Sequence, residues 1–242
     1  MLNKPYKIYV GYDDKEKTYF DVLSYRIRKN TNHPVDIIPL KQNNLRRAGL
    51  YFRAKDINED NQFVDCFDDK PFSTEFSFTR FLVPFLNQFE GYALFMDCDM
   101  LLRTDINDLW KLRDNDYAVM CCKHDYEPNQ NAKFRGAKHE PFPKKNWSSM
   151  MMTNNAKCKA LTPEFVNSAT GLELHQFKWL ESENLIGSLP LTWNWLVSEY
   201  DYNVKADNVH FTLGGPYFKG YEKSDYANEW FRVYNELVKI DL

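Results

Sequence analysis

The 242-residue chain contains no apolar run approaching the roughly 18 residues that span a bilayer, so no transmembrane helix is predicted. Its first residues lead into a strand pattern without a hydrophobic leader, and a soluble, cytoplasmic protein is expected. Cysteine is scarce and odd in number. The five residues Cys66, Cys98, Cys121, Cys122 and Cys158 form no C-x-x-C pair, which excludes a disulfide framework or zinc ribbon and fits a reducing compartment. An excess of positive charge is also missing: 31 basic against 34 acidic side chains give a net charge of -3, so no global field draws the chain to nucleic acid. Neither an internal repeat of solenoid or propeller length nor a low-complexity tract interrupts it.

What the chain does have is length for one full core and a rhythm of apolar strands and helices. Residues 7–12 predict a first strand, followed by a helix in which Tyr19, Leu23 and Ile27 recur at four-residue spacing. Residues 35–40 supply a second strand, with Pro39 placing it at an edge or its end. Residues 76–86 carry a broadly helical repeat with Ser73 or Thr74 as N-cap and Pro84 near its start or at a kink. Residues 92–96, 117–122 and 148–153 read as buried strands, and residues 106–112, a stretch opened by Pro163, 172–181 and 224–240 as helices. Two stretches lack a period and read as loop insertions, near 41–72 and 123–146. The whole reads as one α/β domain over residues 1–242. Aromatic residues reach 16%, enough for stacking on bases or sugar rings as well as for core packing.

One segment asks for a chemical explanation. The strand at 92–96 runs directly into Asp97-Cys98-Asp99, and ligands of open α/β sheets gather beyond the carboxyl ends of strands. Residues i and i+2 project to the same side, so both carboxylates can meet one hard divalent ion, Mn2+ or Mg2+, with positions left open for phosphate oxygens. The same doublet also fits a simple cap at a strand-to-loop junction.

Several separated strings, taken in order, resemble the GT-A fold of nucleotide-sugar glycosyltransferases, most nearly the retaining family 8 with its glycogenin-like and galactosyltransferase-like members. They are VGYDD at 10–14, FTRFLVP at 78–84, FMDCD at 95–99 and VHFTLGGPY at 209–217. The resemblance implies a Rossmann-like, mixed but mainly parallel central sheet flanked by helices. It implies Tyr12 and Asp13 on the nucleotide base, Arg80 on the diphosphate or donor sugar, and Asp97, Asp99 and His210 on the metal. Gly214 and Gly215 would let the backbone approach a phosphate, and Lys219 is the candidate for a pyrophosphate contact, although it follows Pro216-Tyr217 where the family's lysine precedes its Pro-Trp pair. In the middle of the chain, WSSMMMTN at 147–154 stands in place of the family's Asn-(Ser/Ala)-Gly strand. LHQ at 174–176 stands in place of its Asp-Gln-Asp element, which offers Gln176 beneath the reacting carbon beside Asp97 as the catalytic pair. The segment LPLTWN at 189–194 resembles one that ends near the acceptor, where Trp193 and Trp195 read equally as packing.

The implied donor is a nucleoside diphosphate sugar, UDP-linked by the resemblance, and the acceptor a carbohydrate, glycan or lipid-linked hydroxyl. Two other classes compete: a haloacid-dehalogenase-type phosphatase using Asp97 and Asp99, and a nucleotide-sugar binding protein without turnover. Position weighs against the phosphatase, whose nucleophile belongs on the first strand near the amino terminus.

Overall fold

The computed structural model describes residues 4–59, 62–125 and 143–240. Strand β1 (Tyr6–Tyr12), helix α1 (Lys17–Lys29) and strand β2 (Val35–Lys41) open the chain as a β-α-β unit, with β1 and β2 parallel. After them come helix α2 (Gln42–Arg47), strands β3 (Lys55–Ile57), β4 (Phe63–Asp65) and β5 (Pro71–Phe72), helix α3 (Val83–Leu86), and strands β6 (Tyr92–Met96) and β7 (Met100–Leu102). Helix α4 (Ile106–Trp110), strands β8 (Val119–Cys122) and β9 (Met150–Asn154), and helices α5 (Pro163–Ser168) and α6 (Gly171–His175) follow. Strands β10 (Ile186–Leu189), β11 (Trp195–Leu196) and β12 (Asn208–His210) precede the closing helix α7 (Ala227–Ile240).

A six-stranded sheet in the order β10-β8-β9-β6-β1-β2 forms the centre. Only β9 runs against its neighbours, so the sheet is mixed and mainly parallel. Strand β6 is covered on both faces, with Ala93 through Met96 fully buried, which is why it reads as a continuous apolar run. Pro39, which cannot donate to a ladder, sits in β2 at the sheet's edge. Helix α1 buries Tyr19, Val22, Leu23 and Ile27, and α7 buries Trp230 and Val233; the Tyr19 and Trp230 rings meet with centroids 5.3 Å apart. The fold class agrees with the α/β reading.

A second, three-stranded sheet decides where the chemistry falls. Its order is β11-β12-β7, and β12 lies antiparallel to β7 with His210 opposite Met100. The chain from β6 to β7 is Asp97-Cys98-Asp99, so this pairing delivers residue 210 beside the acidic doublet from over a hundred residues away.

Three expectations are corrected. Residues 41–72 are not a loop: they contain α2 and an antiparallel sheet, β3-β4-β5, too short-stranded to show a period. That unit is tied to the body by Arg53, which pairs with Asp65 through Nε at 2.7 Å and Nη2 at 2.5 Å and donates from Nη1 to the carbonyls of Val166 and Ala169. The 76–86 repeat is a 3₁₀ turn, Thr79–Leu82, followed by the single-turn α3. Pro84 sits in the first turn of α3, where its missing N–H costs no helical bond, and Thr74 bonds Ser77 instead of capping a helix. The helix expected over 172–181 ends at His175, where Gln176 caps it and Phe177 takes a left-handed φ of 57°. Of the stretch 123–146, residues 126–142 lie outside the described residues.

Candidate active site

Asp97, Asp99 and His210 come together at the carboxyl end of β6, each offering one ligand atom within 4.8 Å of the others. His210 Nε2 lies 3.2 Å from Asp99 Oδ1 and 3.9 Å from Asp97 Oδ2. Backbone bonds hold the three in place: Asp97 N–H donates to the Ser149 carbonyl, and Phe211 N–H donates to the Asp99 carbonyl, both at 2.9 Å. The Oδ1 atoms of both aspartates are shut off from solvent and receive no aligned hydrogen bond, although Arg80 and His210 approach them. Two carboxylate oxygens and one imidazole nitrogen suit a hard-to-borderline divalent ion such as Mn2+ or Mg2+, so the donor set fits a metal.

Arg80 supplies the protein's own positive charge. Its Nη2 pairs with Asp97 Oδ1 at 3.0 Å, its Nε donates to the Phe76 carbonyl at 3.2 Å and its Nη1 to the Ser148 carbonyl at 2.9 Å. The guanidinium lies over the Phe95 ring at 4.8 Å. Burial pushes Asp97 up to about 6, with Arg80 and His210 holding it down and Asp99 pushing it further up. Burial alone would lower His210, but the Asp99 charge and close contact, with Asp97 behind it, outweigh this and leave it raised. The Cys98 thiol is driven upward by burial and by Glu16, whose Oε2 lies 3.4 Å from its sulfur, so it is a packing group and not a nucleophile.

Behind these groups stands a layer of contacts that sequence reasoning missed. Ser149 Oγ donates to the Asn146 carbonyl at 2.7 Å, which leaves its lone pairs to accept from Asn194 Nδ2 at 2.8 Å. Asn194 Oδ1 therefore faces His210 Nδ1, 3.0 Å away, and that nitrogen carries the proton. In the neutral imidazole this leaves the Nε2 lone pair facing the carboxylates, the tautomer that metal binding requires. On the other side, His175 Nδ1 meets the Oγ of Ser148 at 2.7 Å, the same residue whose carbonyl takes Arg80. The LPLTWN string pointed to Asn194's segment but not to its task.

The remaining candidates are placed less directly. Tyr12 ends β1, with the Phe20 ring on its edge and the Lys41 ammonium 4.4 Å from its centroid. Asp13 caps the short turn after it, accepting from Lys15 N–H at 2.9 Å. Gly214 and Gly215 have an internal reason to be glycine: an added Cβ would lie 2.7 Å from the Tyr221 ring and 2.5 Å from the Tyr19 hydroxyl, respectively. Lys219 is exposed. Gln176 is half-buried at the end of α6, and its carbonyl accepts from Lys144 Nζ at 2.9 Å.

Protein CDI of Arabidopsis thaliana is 42% identical over 243 residues, covering 98% of this chain and 88% of its own. The chain belongs to the Protein CDI family. None of the established protein-family models matches it. The structure of this CDI-family chain resembles the bifunctional glycosyltransferase WbbM, with a TM-score of 0.63 and 13% identity over 99% of the chain; the chain spans only 52% of WbbM. It also resembles the galactosyltransferase LgtC, solved with donor and acceptor sugar analogues (0.53, 11%, covering 95% of each chain), and mouse xyloside xylosyltransferase 1 (0.51, 12%, covering 88% of this chain and all of the other). At such identities the likeness shows the fold, a GT-A glycosyltransferase fold shared by this CDI-family chain. No helix among the described residues is long and apolar enough to cross a membrane.

Two outcomes follow from the site's electrostatics and its support. Asp97 sits above its ordinary 3.8 and His210 above its ordinary 6.5, so both favour their protonated forms when folded. The stability they lend the metal-free protein is present at low pH and lost as pH rises through about 6 and beyond, where Mn2+ takes the protons' place. The Mn2+-induced rise in Tm is therefore expected to be small near pH 5 and to grow toward about pH 8, measured by scanning fluorimetry. Asn194→Ala, which frees the His210 tautomer, is expected to weaken Mn2+ binding roughly 10- to 100-fold in titration calorimetry.

Proposed function

We propose that the chain is a divalent-metal-dependent glycosyltransferase of the family 8 type, one catalytic domain over residues 1–242, which moves a sugar from a nucleoside diphosphate sugar to an acceptor hydroxyl. The observation that carries this reading is the meeting of Asp97, Asp99 and His210 at the carboxyl end of β6 with Arg80 paired to Asp97. A bound Mn2+ or Mg2+ at these three residues would neutralise a diphosphate leaving group as its bond to the sugar breaks. The Arg80 guanidinium is pre-aimed by two backbone carbonyls, which suits it to share that load. Tyr12 and Asp13, at the end of β1, are the side chains for the base: an aromatic face for stacking and a carboxylate to accept its N–H. The resemblance to family 8 favours uracil and retention of configuration, with Gln176 beside the reacting carbon and Gly214, Gly215 and Lys219 along the diphosphate. The acceptor is a carbohydrate, glycan or lipid-linked hydroxyl. Five unpaired cysteines support a reducing, cytoplasmic setting.

The reading is tested by thermal stabilisation. With Mn2+ present, UDP at about a hundred times its Kd is expected to raise the wild-type Tm by roughly 5–10 °C, and Asp99→Ala to abolish that rise. Release of UDP from a UDP-sugar by the wild type separates turnover from binding alone. An undiminished rise in the Asp99→Ala protein contradicts the assignment.

A further inference from the structure

Two adjacent serines in the turn Trp147–Ser149 serve the two halves of the site. The Ser149 carbonyl accepts from the Asp97 N–H at 2.9 Å, and its hydroxyl accepts from Asn194, on the His210 side. Ser148 does the equivalent for Arg80: its carbonyl accepts from Nη1 at 2.9 Å, and its hydroxyl lies 2.7 Å from His175 Nδ1. A relay therefore runs from His175 through Ser148 to Arg80, and the 3.0 Å pair of Arg80 Nη2 with Asp97 Oδ1 carries it to the acidic doublet.

The far end of this relay is itself held firmly. At the start of α6, Thr170 and Glu173 form a reciprocal cap, Arg53 Nη1 donates to the Ala169 carbonyl, and Asp68 accepts from the Gly171 N–H at 3.1 Å. Arg53 and Asp68 come from the segment that carries β3, β4 and β5, so that small sheet anchors the helix bearing His175. At the other end, the Trp179 indole donates to the Leu174 carbonyl at 3.3 Å and Lys144 Nζ to the Gln176 carbonyl at 2.9 Å. The His175 ring stands edge-on to Phe81, with centroids 5.1 Å apart at 83°, and 6.3 Å from Phe78, whose own ring carries the Arg53 guanidinium at 4.2 Å. Burial, with the Arg80 and Arg53 charges adding to it, pushes His175 down to about 3, so a neutral imidazole sits between the two arginines.

A guanidinium binds phosphate oxygens through a planar fork, so its strength depends on the plane being held before the ligand arrives. Small errors of aim are costly. We infer that His175 is a positioning residue for Arg80: through the Ser148 hydroxyl it fixes the carbonyl that aims the guanidinium, and so sets the affinity for a diphosphate. The ligand in this statement rests on the transferase reading above. The aiming of Arg80 does not, because it is a property of the protein without nucleotide.

Two measurements on the full chain test the aim and the ligand separately. Arginine side-chain NMR of the nucleotide-free protein reads rotation of the Arg80 guanidinium about its Nε–Cζ bond, which is expected to be roughly fivefold faster in His175→Ala and in Ser148→Ala than in the wild type. Calorimetric titration with UDP in the presence of Mn2+ is expected to show binding weakened by a similar factor in both, and by no more in the double variant. His175→Asn, whose amide reaches the place of Nδ1, should restore both readouts, whereas His175→Gln, whose amide reaches toward Nε2, should not. Loss of packing alone does not give that order, since both replacements remove the ring. Equal rotation in the wild type and His175→Ala, or an Asn variant no better than the Gln variant, overturns the inference, and unchanged UDP affinity in a variant with faster rotation overturns its link to the diphosphate. Rotation as expected in a wild type and variants that bind no UDP would keep the positioning and remove the transferase reading.

Discussion

Two carboxylates set side by side in a mostly water-excluded pocket repel one another, and the fold must hold cations close enough to let both ionise. Asp97 and Asp99 are in that position, carried there by the strand that ends at Met96. Arg80 answers from one side and His210 from the other, and a divalent ion held there would complete the balance. The rest of the architecture around the site reads as the means of keeping these groups together. The antiparallel pairing of β7 with β12 carries His210 to the doublet, the Ser149 and Asp99 carbonyls lock both segments by backbone bonds, and Asn194 fixes which imidazole nitrogen is free.

Strand β12 has β7 on one side, leading to the acidic doublet, and β11 on the other, leading to Trp195 and Tyr200. The three-stranded sheet thus spaces the Asp97–Asp99–His210 cluster from the Trp195–Tyr200 ring pair. One fold can serve many chemistries, so the residues of the site, more than the fold, must carry any statement about substrate.

Much of this was legible along the chain, and the exceptions have physical causes. Residues 92–96 announced a doubly covered strand because every side chain is apolar, and the doublet after them was readable because strand ends collect ligands. Pro39 correctly pointed to an edge, since a missing N–H is tolerated only there. His210 could be joined to the doublet only through the family resemblance, because no local signal reveals a partner so distant in sequence. Asn194 was hidden for the same reason: its role exists only once Ser149 and His210 converge on it. Residues 41–72 looked irregular because strands of two or three residues are too short for a period, and the unit depends on the long-range hold of Arg53 on Asp65 and on the α5 carbonyls. Trp195 read as packing, and it is half-buried, with its indole N–H on the Asp201 carbonyl and its ring beside that of Tyr200.

The shared cation is most directly tested by pulsed electron paramagnetic resonance of the Mn2+-loaded protein. A nitrogen coupling typical of a directly bound imidazole is expected in the wild type and absent in His210→Ala. A wild-type protein that binds Mn2+ without any such coupling would contradict the joint grip of Asp97, Asp99 and His210 on one ion.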